Sequence, residues 1–281
     1  MNNKYKSIIN NFTNWGTTSD KVKAAIVVGS QARNDYAADE HSDLDIIMFV
    51  DDPEYFSTSE DWLNEIGSYH ITFTEPTMDG AKERRILFDG NLDVDIVIQP
   101  YSLIEAVSGT EAASVLMRGY SILIDKIGLS KKLELLRAMN SASDMPSEYD
   151  FINIVNDFWY HTVWTAKKLK RGELWTAKFC MDSYMKRKLL TIIECHARVG
   201  NGVEYDTWYG GRFVEQWAEP WVINELRYCF ALYNEESIRN ALSSTMSLFR
   251  TLSKDVAEKL MYHYPISADE YTTACVAEIL A

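Results

Sequence analysis

No apolar run in this 281-residue chain is long enough to cross a bilayer, since a spanning helix needs about 20 consecutive apolar residues. A membrane partner is therefore not expected. Cysteine is scarce: Cys180, Cys195, Cys229 and Cys275 stand far apart with no C-x-x-C pair, a spacing that fits neither a metal site nor a disulfide framework. They read as reduced core thiols of a cytoplasmic protein. The polar, amphipathic opening Met1–Phe12 carries no signal-peptide core and points the same way. Basic residues are also short, 28 Lys and Arg against 41 Asp and Glu, for a formal net charge of −13. Binding to a nucleic-acid backbone is driven by Lys and Arg, so no nucleic-acid partner is expected. Between Asp35 and Asp61 there are ten acids and no Lys or Arg at all. Such a field draws in polycationic small molecules, although a solvated acidic loop has the same composition. Internal repeats and low-complexity tracts are missing too. What remains is a chain that is 47% hydrophobic, enough for a sizeable core and long enough for two domains.

The most informative feature present is Gly29-Ser30, followed by Asp43-Leu44-Asp45. An apolar strand, Ala24 to Val28, runs into a tight turn, and a second strand then carries two carboxylates. Strand side chains alternate between faces, so Asp43 and Asp45 point the same way. Adjacent carboxylates raise the cost of ionising each other. A divalent cation relieves that cost, and Mg²⁺ prefers a few carboxylates together with substrate phosphate oxygens. Gly29 permits the turn, its backbone N–H groups can hold phosphates, and Ser30 can donate to a phosphate oxygen. A lone D-x-D is usually only a solvated strand edge. Here Leu44, Ile46, Ile47, Phe49 and Val50 surround the acids with apolar side chains, and unpartnered carboxylates in such a strand are costly.

A third acid strengthens the pattern. Arg84–Phe88, the turn Asp89-Gly90-Asn91 and Asp93–Ile98 predict a hairpin, with Asp93 and Asp95 on one face and Val94, Ile96 and Ile98 on the other. Further strands are predicted at Tyr69–Thr74 and Ser121–Ile124, giving a mixed sheet, and a helix at Lys131–Met139. The segment Asn140–Ser147 reads as a linker. Beyond it, helices are expected over Asp150–Lys170, Leu174–Val199, Pro220–Tyr233, Glu235–Met261 and Ala268–Leu280. Arg171-Gly172 and Gly200-Asn201-Gly202 act as stops, and Ser267 as the last N-cap.

Gly29-Ser30, Asp43-x-Asp45 and a later strand acid resemble the signature of the DNA polymerase β-like nucleotidyltransferase superfamily. The runs Val27-Val28-Gly29-Ser30-Gln31-Ala32-Arg33 and Ala38-Asp39-Glu40-His41-Ser42-Asp43-Leu44-Asp45 are similar to the N-terminal block of the aminoglycoside 6-adenylyltransferases, which modify streptomycin. Asn156-Asp157-Phe158-Trp159 and Ala177-Lys178-Phe179-Cys180-Met181-Asp182 resemble blocks of that family's C-terminal half. Gln31 stands where the family has a basic residue and His41 where it has a Trp. The resemblance covers roughly residues 20 to 270.

That resemblance implies an α/β (α+β) chain: a nucleotidyltransferase domain over 1–145, with a mixed sheet flanked by helices, and an all-helical substrate-binding domain over 146–281. It implies transfer of AMP from ATP to the 6-hydroxyl of streptomycin with Mg²⁺. Asp43 and Asp45 are then metal ligands. Asp95 is the preferred third catalytic and metal-binding acid, with Asp93 second. Gly29, Ser30 and Arg33 would serve the nucleotide, together with Lys178. Asp182 would meet the cationic acceptor, with Trp159, Asp157 and Glu194 as further candidates for the substrate cleft. Lys178 and Asp182, four apart on a helix face, also fit an ordinary surface ion pair. His161 and His196 have no partner pattern and read as structural. The alternatives are a transferase for another aminoglycoside or a lincosamide, an enzyme modifying protein or tRNA, and a non-catalytic module of the same fold.

Overall fold

A computed structural model describes residues 3–33, 36, 38–77, 80–106, 116, 118–137 and 145–281. The chain divides into two compact units, Met1–Ser141 and Ala142–Ala281. The expected linker falls largely at 140–144, outside the described residues.

The first unit is built on six strands: β1 (Val22–Val28), β2 (Leu44–Val50), β3 (Tyr69–Pro76), β4 (Lys82–Phe88), β5 (Leu92–Pro100) and β6 (Ser121–Asp125), in the order β3-β4-β5-β2-β1-β6. Only β2 and β5 pair in parallel, so the sheet is mixed as expected. The β4–β5 hairpin closes through Asp89-Gly90-Asn91, where Gly90 (φ 81°) and Asn91 (φ 57°) supply the left-handed backbone the turn needs.

Strand alternation sorts the side chains. Leu44, Ile46, Met48 and Val50 of β2, with Val94, Ile96 and Ile98 of β5, bury against the helix Lys6–Thr18 and the short helices Pro53–Thr58 and Asp61–Glu65. On the opposite face Ala24, Ile26, Val28, Ile47 and Phe49, with Val97 of β5, pack with Leu129 and Leu133. Toward β4 and β3 that face opens, carrying Glu83, Arg85 and Glu75 beside exposed Ile71 and Phe73. This asymmetry leaves one part of the sheet available for chemistry.

The second unit is helical as expected, with its own core. The first long helix, Glu148–Lys170, starts on Ser147, whose hydroxyl accepts from the Asp150 N–H. The continuous helix expected over Leu174–Val199 is interrupted: a π turn, Cys180–Met185, separates Leu174–Phe179 from Lys186–Asn201. Pro220–Tyr233 is helical only to Cys229, and the last helix starts at Ile266 with Pro265 before it, so Ser267 is not its cap. Gly202 does end its helix, at φ 108°. No helix among the described residues is long and apolar enough to cross a membrane. The four cysteines are free thiols, three of them buried.

Candidate active site

Sheet register brings the predicted acids together. Asp45 is the Cα partner of Val28 on β1 and of Asp95 on β5, and Asp43 lies just before β2 on the same face. One carboxylate oxygen from each of Asp43, Asp45 and Asp95 falls within 4.8 Å of the others. Among the described residues they form the one group of acids so arranged. Asp93 is exposed at the start of β5, and its carboxylate accepts from Tyr5 Oη at 3.2 Å, so it serves the scaffold.

The turn after β1 explains why glycine is required there. Gly29 has φ 66°, and a Cβ on it would lie 2.1 Å from Asp45 Oδ2. The Asp45 carboxylate therefore rests against bare backbone. Next to it, Ser30 is 8% exposed, and its Oγ is buried with no hydrogen-bond partner. A buried hydroxyl without a partner is costly, and this one lies in the turn beside the acids, the place where a phosphate oxygen would accept from it. Arg33 donates from Nε to the Tyr36 carbonyl at 2.9 Å.

Two residues outside the expected site hold the acid loop. Gln31 is buried and donates from Nε2 to the Asp43 carbonyl at 3.1 Å. Tyr5, fully buried, donates to the carbonyls of Ser42 (3.0 Å) and Asp93 (3.1 Å), tying the start of β2 to β5. The Gln31 side chain thus fixes the backbone of one of the acids. The acid loop also satisfies itself, as Asp39 Oδ1 accepts from the His41 N–H at 2.9 Å and from Ser42 Oγ at 3.0 Å.

Asp95 is 9% exposed, and burial pushes its carboxyl up to about 6, against the pull of Arg85 and with help from Glu83, Asp43 and Asp93. It is therefore ionised at neutral pH yet more basic than an ordinary carboxylate. Arg85 Nη1 stands 3.3 Å from Asp95 Oδ2. Arg84, one residue earlier, points to the packed face and donates to the Phe56 and Ser57 carbonyls at the end of the Pro53–Thr58 helix.

In the second unit, Lys178 and Asp182 do form an ion pair, and Lys178 Nζ also donates to the Ala231 carbonyl at 2.6 Å. The π turn places Lys186 beside them, 3.9 Å from Asp182, bonded to Thr245 Oγ1 at 3.0 Å. Burial pulls the Lys186 ammonium down to about 8, partly offset by Asp182. Sequence reading missed Lys186, although it follows Asp182 at the same four-residue spacing by which Asp182 follows Lys178. Asp157 is engaged by His161 (2.7 Å), Lys188 (2.7 Å) and Tyr184 (2.9 Å). Burial opposes its ionisation, but Lys188 and Tyr184 prevail and hold its carboxyl below the usual range. Glu194 is half-buried, its carboxyl raised by burial and eased by Arg198. Trp159 must be corrected: at 1% exposure it packs edge-on against Phe158 and Phe249 and offers no surface to a ligand. His161 and His196 have carboxylate partners after all, Asp157 and Asp255.

A turn with a buried unpartnered hydroxyl beside three converging carboxylates has the donors to hold a phosphate and a divalent cation. The family model described as streptomycin adenylyltransferase matches residues 2–279. An aminoglycoside 6-adenylyltransferase of Campylobacter jejuni is 22% identical over 267 residues, spanning 93% of this chain and 91% of that protein. Its namesake from Staphylococcus aureus is also 22% identical over 267 residues, 92% of this chain and 93% of the relative. The crystal structure of an aminoglycoside 6-adenyltransferase from Bacillus subtilis aligns with 97% of this chain and 96% of that one, at 20% identity and a TM-score of 0.48. Since the family model spans nearly its whole length, the chain belongs to the streptomycin adenylyltransferase family and is a nucleotidyltransferase.

Proposed function

We propose that this protein transfers AMP from ATP to the 6-hydroxyl of streptomycin, releasing pyrophosphate and so conferring resistance. The observation that carries the reading is the convergence of Asp43, Asp45 and Asp95 beside the Gly29-Ser30 turn. Three hard oxygen donors suit Mg²⁺, and the unpartnered Ser30 hydroxyl suits a phosphate oxygen of the same substrate. When bound, Mg²⁺ would neutralise the acids and stabilise charge on the reacting phosphate.

The chain's own residues supply the rest. Gly29 and Ser30 bind and orient the triphosphate, and Arg33 adds a positive charge near them. The acceptor hydroxyl oxygen attacks the α-phosphorus, the bond to pyrophosphate breaks, and the hydroxyl proton passes to a carboxylate oxygen of Asp95. Lys178 is the proposed triphosphate contact in the helical unit, and Asp182 the proposed contact for the cationic acceptor; in the structure each answers the other's charge. Glu194 remains a secondary acceptor contact. Asp157, already held by three partners, is assigned to the scaffold. The domain roles follow: nucleotide chemistry in the first unit, acceptor recognition in the second.

Mass spectrometry of an aminoglycoside panel incubated with ATP, Mg²⁺ and the protein tests this. Streptomycin should gain one AMP. No gain on any aminoglycoside would reject the reading.

A further inference from the structure

Across the open face of the sheet, one row of Cα partners runs Phe73, Arg85, Asp95, Asp45. Backbone pairing fixes where Asp95 starts, but it does not fix how its carboxylate turns. Left to its neighbours, that carboxylate would be repelled by Asp43, Asp93 and Glu83. Arg85 is placed to prevent this. Its Nη2 donates to Glu83 Oε2 at 3.1 Å, its Nε lies 2.6 Å from Glu75 Oε1 as a charge contact without hydrogen-bond geometry, and its Nη1 lies 3.3 Å from Asp95 Oδ2. Three different nitrogens meet three different carboxylates. Glu75 and Glu83 are themselves Cα partners on β3 and β4, so both anchors come from paired strands and not from loops.

We propose that Arg85 is a positioning residue for adenylyl transfer: clamped by Glu75 and Glu83, its guanidinium holds the Asp95 carboxylate in the orientation that meets Asp43 and Asp45. The guanidinium is planar and rigid, so the hydrogen bond to Glu83 together with the charge of Glu75 restricts where its third nitrogen can go. A lysine could supply the charge but not the three-way grip. Held at Oδ2, the Asp95 carboxylate cannot swing away from its two fellow acids, and a displacement of about 1 Å at a reacting group can cost about 10²-fold in rate. The proposal rests on the reading of Asp95 as a working acid.

The test uses the full-length wild type, Arg85→Ala, Arg85→Lys and Asp95→Asn. It measures kcat and KM for ATP and streptomycin, thermal melting, and Mn²⁺ binding by electron paramagnetic resonance without nucleotide. Arg85→Ala should lower kcat about tenfold or more while leaving both KM values within about twofold. Mn²⁺ should bind it more weakly than wild type, because the Asp95 carboxylate is no longer held toward Asp43 and Asp45. Arg85→Lys should stay nearer to the alanine variant than to wild type. A smaller fall in kcat overturns the proposal, as does Mn²⁺ binding as tight as that of wild type; a fall matched by a large drop in melting temperature would mark Arg85 as merely structural. If Arg85→Ala does not fold, Arg85→Lys is judged by the same two readouts. A wild type that transfers no AMP, or Asp95→Asn with unchanged turnover, removes the reading of the site and this proposal with it. A working Asp95 beside an indifferent Arg85 removes this proposal alone.

Discussion

A single methyl group is the finest probe of the site. Alanine at Gly29 would set a Cβ 2.1 Å from Asp45 Oδ2 on backbone at φ 66°. The left-handed conformation alone costs a non-glycine residue about 1 kcal/mol, and the clash must push the carboxylate away from its partners. Gly29→Ala is therefore expected to lose transfer by about 10²-fold while melting only a few degrees lower; steady-state rates beside a melting curve check both. Asp43→Asn and Asp45→Asn should each abolish transfer without unfolding the protein, and near-normal turnover in either would remove the metal assignment. Asp95 gives a pH-dependent counterpart. Its folded pKa is raised from 3.8 to about 6, so the folded protein holds this proton more tightly than the unfolded chain. The stability linked to the group is full below about pH 4 and lost as pH rises through about 6. In the metal-free protein, Asp95→Asn should then be the more stable form at about pH 7.5, by on the order of 2 kcal/mol, and the advantage should vanish near pH 4. Melting with a chelator at both pH values checks this; an advantage that does not depend on pH would contradict the buried-carboxylate account.

Secondary elements were legible wherever a local pattern determined them. All six strands of the sheet were read from apolar runs and turn residues, and the β4–β5 hairpin from its D-G turn, because side-chain period and turn chemistry are local properties. Alternation set Asp43 with Asp45 and Asp93 with Asp95 on shared faces, and the family resemblance preferred Asp95 as the third acid; the structure groups it with Asp43 and Asp45. Arg85 was overlooked although the hairpin turn carries its signal: pairing Phe88 with Leu92 sets Arg85 opposite Asp95. Tyr5 and Gln31 were missed for a different reason, since their contacts lie across the fold. In the helical unit the π turn at Cys180–Met185 hides in an unbroken helical pattern, and such turns often mark functional sites. Aromatic content misled in the other direction, as Trp159 sits in the core. Trp159→Ala should destabilise the helical unit by about 3–5 kcal/mol through the cavity it leaves. Trp159→Phe should leave the KM for streptomycin unchanged. A selective rise in that KM, with stability intact, would return Trp159 to the binding surface.

Over the whole molecule, the net charge of −13 sets the approach of a cation more than its final seat. The acid-rich stretch is less naked than its sequence suggests. Asp51 pairs with Lys23 at 2.5 Å, Glu54 with Lys82 at 3.0 Å, and Asp52 caps the Pro53–Thr58 helix. Asp39 and Glu40 remain exposed. Because exposed charges are screened beyond about 8–10 Å at physiological salt, the KM for streptomycin should rise with ionic strength, and that for ATP should not rise comparably. A flat KM across a salt series would leave the stretch as solvated surface. The central claim, that the three acids beside the Gly29-Ser30 turn move AMP onto streptomycin, has a more direct test. NMR of the product formed from streptomycin, ATP and Mg²⁺ should show the adenylyl group on the 6-hydroxyl of the streptidine ring, with Asp43→Asn forming none. A product adenylylated elsewhere, or one still formed by Asp43→Asn, would contradict the account.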